Sequence, residues 1–165
     1  AVSLNPNLAE AHNYLGFIYL QQTQHKEALR EFKRAVRINP YFTDAHNHLG
    51  IAYRELKEYD RALEAFETAL NDKSYKSQEK IHLNMGYLHL ARGMFAEAIR
   101  SFERAVAINP KYLRGFLGLG AAYQRWGRGE LAEQELRKVV ALGPGSPEAA
   151  EARQLLARQA KRDPS

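Results

Sequence analysis

The chain has 165 residues, 45% of them hydrophobic, a formal net charge of +5 and no cysteine. That length supports one domain with a sizeable core or one repeat array, and the lack of cysteine excludes disulfides and cysteine-based metal sites. No stretch approaches about 18 uninterrupted apolar residues, so no segment reads as a membrane-spanning helix, and the N-terminus lacks the basic-then-apolar order of a signal peptide.

Residues 1–78 hold 10 Lys or Arg against 10 Asp or Glu, and residues 79–138 hold 10 against 6. The basic surplus lies in the second half. No basic block interleaves with aromatics there, so a nucleic-acid partner is not expected.

In chain order, residues 1–8 come first. They open on "AVSLNP", a copy of the "AVRINP" and "AVAINP" found later. The chain is therefore expected to start inside a repeat, with the rest of that repeat and any export signal missing. Residues 9–42 form the first full repeat, 43–78 the second, 79–112 the third and 113–146 the fourth. Each carries one pattern: "HNYLGFIY", "HNHLGIAY", "HLNMGYLH" and "FLGLGAAY". The pattern glycines, Gly16, Gly50, Gly86 and Gly120, are 34, 36 and 34 residues apart. Twelve residues beyond each stands Ala28, Ala62, Ala98 or Ala132, then Phe32, Phe66, Phe102 or Leu136, then Ala35, Ala69, Ala105 or Val139.

Spacings of three, four and seven place Leu15, Ile18 and Tyr19 on one face of a first helix and Ala28, Phe32 and Ala35 on one face of a second. The short link at 22–26 makes the two antiparallel. Small residues sit where the helices cross, so enlarging Gly50 or Ala62 should force the pair apart. "NP" at Asn39-Pro40 and Asn109-Pro110 ends the second helices, because proline restricts the residue before it and has no amide for the ladder. Residues 147–161 read as a closing helix with Ser146 as N-cap and Pro147 at the first helical position. Residues 162–165 are expected to fray. No hairpin can bury its apolar face alone, so the pattern predicts an all-α fold, a right-handed α-solenoid of helix-turn-helix repeats with a C-terminal capping helix.

Chemistry is not legible in this pattern. His12, His46 and His82 occupy one register position in successive repeats, about 8–10 Å apart per helix packing step, too far to share a zinc ion. They read as aromatic packing groups. Nucleophile-elbow, phosphate-loop and H-E-x-x-H motifs are absent, and "GFLGLG" lies in a helical pattern with no strand before it. The reading is a non-enzyme with no metal and no cofactor.

The four periodic matches resemble the tetratricopeptide repeat family, over residues 9–146. Histidine or Phe116 stands where that family usually has Trp, and the second repeat lacks its closing proline. The resemblance implies a groove lined by the first helix of each repeat, suited to a protein or peptide partner. Its lining is expected to include Asn13, Phe17, Leu20 and Gln21, then Asn47, His48, Ile51 and Arg54, then Lys80, Leu83, Asn84, Tyr87 and Leu90, and finally Leu117, Ala121, Gln124 and Arg125. Chaperone-binding members clamp a terminal carboxylate with Lys, Asn and Arg. Asn13 and Phe17 break that set, and only Lys80 and Asn84 resemble its later part.

The one irregular stretch is "ALNDKSYKSQEK", where two residues are added and the closing "NP" is lost. Its Asn, Asp and Ser content predicts an exposed loop, with Tyr75 either packed back on the repeats or offered as a contact. Ala69, Asp72 and Tyr75 followed by "NMG" at 84–86 resemble the tetratricopeptide pilotins, outer-membrane lipoproteins that assist type IV pilus secretins, over residues 43–155. That resemblance implies binding of secretin subunits, promotion of their multimerisation, and residence on the periplasmic face of the bacterial outer membrane. A lipid-bearing cysteine would sit on the missing N-terminal segment, with no membrane insertion by the present residues. The alternatives are a general adaptor in another complex, cytoplasmic or in the envelope, and the regulatory segment of a larger enzyme.

Overall fold

The computed structural model describes residues 6–160. Among them are nine helices and no strand: α1 Pro6–Gln21, α2 His25–Ile38, α3 Thr43–Glu55, α4 Tyr59–Leu70, α5 Gln78–Ala91, α6 Phe95–Ile108, α7 Leu113–Arg125, α8 Gly129–Leu142 and α9 Pro147–Ala160. They divide into two compact units, the chain passing from one to the other between Ser77 and Gln78. Unit 1 holds the hairpins α1–α2 and α3–α4. Unit 2 holds α5–α6 and α7–α8, with α9 packed on α7 and α8.

The breaks fall where proline demands them. Asn39 and Asn109 are extended C-cap residues, with φ of -128° and -129°, directly before Pro40 and Pro110. Ser146 caps α9, its Oγ accepting from the Ala149 N–H at 3.0 Å. At the N-terminus α1 begins at Pro6, so residues 6–8 are helical and continuous with the first helix of the hairpin. Proline fits a first helical position, where its missing N–H costs nothing. The expectations for residues 1–5 and 161–165 lie outside the described residues.

Each hairpin is closed by one recurring contact. A Cβ built on Gly16 would lie 2.6 Å from Phe32 Cε1, one on Gly50 2.5 Å from Phe66 Cε1, and one on Gly120 2.6 Å from Leu136 Cδ2. Gly86 meets Phe102 in the same way. The side chain lies against bare backbone, and Phe32, Phe66, Phe102 and Leu136 are fully buried. Burying such a side chain is worth about 1.5–3 kcal/mol. On its other side the ring meets the next hairpin of its unit: Phe32 faces the His48 ring at 5.3 Å, and Phe102 faces Gly118.

Not every residue of the predicted apolar face is buried. Leu15 is 38% exposed, whereas its register equivalents Leu49 and Leu119 are 8% and 4% exposed. Leu119 packs into the cluster formed by Ala98 and Phe102 of the preceding hairpin. No hairpin precedes α1 among the described residues.

The turns within the hairpins share one closure, in which an N–H three residues past the helix reaches back over a left-handed residue: Gln24 to Tyr19, Glu58 to Tyr53, Met94 to His89 and Arg128 to Tyr123, at 2.8–2.9 Å. Unit 2 uses Gly93 and Gly127 at that position, with φ of 74° and 78°. Unit 1 uses Thr23 and Lys57, with φ of 58° and 62°. A side chain in this region costs about 1–2 kcal/mol, partly offset by the freedom glycine loses on folding.

Two outcomes follow. Thr23→Gly and Lys57→Gly should each stabilise the protein by a few tenths to about 1 kcal/mol, read as a rise in the thermal unfolding midpoint. Gly50→Val should destabilise it by about 1–3 kcal/mol in urea unfolding, since the Phe66 ring has nowhere to retreat.

Candidate functional site

The first helix of each hairpin presents a register position just after the pattern glycine. Phe17 fills it in α1 and is 41% exposed; Ile51 and Tyr87 are half-buried, as is Ala121. Phe17 lies in an open pocket of 690 Å³ in unit 1, lined by Glu10, Ala11, Asn13, Tyr14, Phe17, Phe42 and His48. The floor is aromatic, with the Phe17 and His48 rings 5.8 Å apart. The His48 Nδ1 and the Asn13 side-chain oxygen are 2.8 Å apart, so the imidazole donates and Asn13 accepts. That bond ties α1 to α3 and fixes both side chains at the pocket wall.

Of the predicted lining residues, the structure thus brings Asn13, Phe17 and His48 together. Leu20 is half-buried and Gln21 exposed on α1; Ile51 and Arg54 are half-buried on α3. In unit 2, Lys80 and Arg125 are exposed and Asn84, Tyr87 and Gln124 half-buried. Tyr87 meets Phe102 edge-on at 5.2 Å, so its ring is also part of the core.

Four predicted lining residues are not available to a partner. Asn47 is 4% exposed, Leu83 4%, Leu90 5% and Leu117 6%. Asn47, Leu83 and Leu117 share one register position, three before the pattern glycine, and in unit 2 it faces other helices of the stack. Leu83 packs with Phe102 and Leu119, and Leu117 with Leu136, Val139 and Ala152. Leu90 joins the same cluster as Leu83. The sequence reading missed Glu10, Ala11, Tyr14 and Phe42 as pocket residues. Tyr14, three positions before Phe17 and 68% exposed, carries the helical-spacing signal that would have found it.

The lengthened link, residues 71–77, is not a free loop. Asp72 accepts from the Thr43 hydroxyl at 2.6 Å and from the Ser74 hydroxyl at 2.6 Å and N–H at 3.0 Å. The Tyr75 hydroxyl donates to the Asp44 carboxylate. Thr43 and Asp44 open α3, so both anchors grip the same helix start. The Ser74 hydroxyl first, and then the Thr43 hydroxyl, hold the Asp72 carboxyl below its ordinary value.

His12 and His46 hydrogen-bond through their rings. His12 Nδ1 lies 2.6 Å from the Glu31 carboxylate, which also takes Arg34 at 2.8 Å. His46 Nε2 lies 2.8 Å from the Pro40 carbonyl, and its donated proton closes the turn before α3. Burial holds half-buried His89 below the usual histidine value. Among the described residues, no three His, Asp or Glu side chains converge as metal ligands would.

Three family models match the sequence, at residues 9–42, 42–111 and 89–158, and all three describe a tetratricopeptide repeat. The chain belongs to the tetratricopeptide repeat family. Solved structures agree with that membership. PilF of Pseudomonas aeruginosa is similar over 94% of this chain and 70% of its own, at 24% identity and a TM-score of 0.77. MamA is similar over 85% of this chain and 81% of its own, at 22% identity and a TM-score of 0.70. A chain of the Cut9–Hcn1 hetero-tetramer of the APC/C is similar over 90% of this chain but 29% of its own, at 18% identity and a TM-score of 0.78. At these identities the likeness shows the fold, a helical solenoid. No curated protein matches the sequence. Tetratricopeptide repeats are protein-binding scaffolds, and this repeat protein is one by its family.

A lowered carboxyl pKa contributes stability that is present above the ordinary aspartate value and lost as pH falls through the lowered one. Docking of the link should therefore be tighter at neutral pH and loosen in that acid window. Amide hydrogen exchange at residues 73–77 should quicken there, and Asp72→Asn should show the quicker exchange already at neutral pH.

Proposed function

We propose that this chain is a pilotin-like adaptor, which holds a segment of a secretin subunit in the unit 1 groove and favours secretin multimerisation on the periplasmic side of the bacterial outer membrane. The observation that carries the binding role is Phe17, a large aromatic left exposed on the floor of a pocket whose walls are fixed. A partner segment gains by covering the Phe17 and Tyr14 rings, and its backbone can hydrogen-bond to Asn13. Support for the pilotin role comes from Ala69, Asp72 and Tyr75 of the link, with Asn84 to Gly86 after it, and from the likeness to PilF.

A second reading, an adaptor in another assembly or a regulatory segment of a larger enzyme, is favoured by the comparable likeness to MamA and to the Cut9–Hcn1 chain. The two separate on one variant. Phe17→Glu places a charge on an exposed position, so the fold should survive with an unchanged unfolding midpoint. In bacteria expressing it as the sole copy, SDS-resistant secretin multimers are expected to fall several-fold relative to the unaltered protein. Normal multimers with that variant would remove the secretin role and leave the second reading.

A further inference from the structure

The chain's one tryptophan stands in the turn between α7 and α8, and the turn does not need it. Trp126 fills a position occupied by Gln22, Leu56 and Arg92 in the other hairpins, and all four turns close through the same backbone bonds. The indole is 43% exposed, so burial does not account for it either.

Arginines flank it in sequence at 125 and 128. The Arg128 guanidinium lies over the Trp126 ring, 5.2 Å from its centroid, and the Arg125 guanidinium over the Phe95 ring at 5.9 Å. Phe95 opens α6, so the second contact sets the Arg92–Met94 turn beside Arg125. Five other arginines pair with carboxylates: Arg34 with Glu31, Arg54 with Glu55, Arg61 with Glu58, Arg100 with Glu97 and Arg137 with Glu133. Arg125 and Arg128 meet no carboxylate among the described residues. Of the acids near this edge, Glu97 is engaged by Arg100, and Glu130 is exposed two residues beyond Arg128. Exposed Leu131 extends the apolar surface.

We propose that this turn edge of unit 2 is a second docking surface, for an acidic protein segment that seats an apolar side chain on Trp126 while its carboxylates engage Arg125 and Arg128. A guanidinium lying on an aromatic face keeps its N–H edge for a partner, and that edge matches a carboxylate two bonds at a time. Trp and Arg are also the residues that carry most binding energy at protein interfaces. An anionic lipid surface attracts Lys and Arg alike, yet the basic residues of this edge, Arg92, Arg125 and Arg128, are all arginine. A single-stranded nucleic acid would use successive aromatic platforms, and here one aromatic ring stands open.

Because Trp126 is the only tryptophan, its fluorescence in the full chain reads the surface directly. The probe is a synthetic peptide of Asp and Glu residues around a central Phe, titrated at low and high salt. A saturable change is expected that weakens with salt, and Arg125→Gln combined with Arg128→Gln should weaken it about tenfold or more. Arg125→Lys with Arg128→Lys, which keeps the charge but loses the fork, should fall between. Phe17→Glu should leave it unchanged, which separates this surface from the unit 1 groove. The proposal is overturned if the acidic peptide gives no saturable change, if a peptide with Lys in place of its acids does as well, or if the Gln variant, folded by circular dichroism, binds undiminished. It is equally overturned if phosphatidylglycerol vesicles or oligothymidylate saturate the signal and the acidic peptide cannot compete.

Discussion

The contact between a bare glycine and the side chain sixteen residues later sets everything else in this protein. Gly16 with Phe32, Gly50 with Phe66, Gly86 with Phe102 and Gly120 with Leu136 bring two helices of each hairpin to a separation that no larger pair would allow. The buried side chain then becomes the surface on which the next hairpin of its unit lands, at His48 over Phe32 and at Gly118 against Phe102. One small residue therefore decides the hairpin angle and the stacking register together. Close packing makes both intolerant of change.

Binding capacity follows from what that contact leaves over. The position after each glycine differs in every hairpin, with Phe17, Ile51, Tyr87 and Ala121 there, and Tyr87 is drawn into the core against Phe102. In unit 1 the largest of these stays exposed and is flanked by a fixed Asn13–His48 bond. The edge at Trp126 arises in the same manner, since a turn closed by backbone bonds places no demand on the side chain at its corner. Both candidate surfaces occupy positions that the fold does not use.

The hairpins were legible because their causes are local and repeat: small residues, rings and Asn-Pro breaks recur at 34-residue spacing, and the helices end where these predict. The buried state of Leu83 and Leu117 was not, because one face of a first helix serves both the groove and the neighbouring helices. Periodicity marks the face without dividing it. The docking of the link was only half legible, since the sequence left Tyr75 either packed back or offered as a contact. It depends on Asp72 with Thr43 and Tyr75 with Asp44, single polar pairs 29 and 31 residues apart in sequence, and nothing periodic announces them. The pocket of unit 1 was half-read: the residues on α1 and α3 follow helical spacing, whereas Phe42 precedes α3 and escapes that rule.

The repetition of the glycine–ring contact also bears on how such a chain changes over generations. Hairpins closed by the same contact are interchangeable at the level of the gene, so an unequal crossover that adds or deletes one whole repeat, 34 or 36 codons, leaves every surviving hairpin intact. What such an event cannot preserve is the residue two places before the glycine. His48 and Gly118 fill that place with very different volumes against the same kind of ring. Recombination is thereby free to alter the number of hairpins, and the new junctions must then be repaired one substitution at a time.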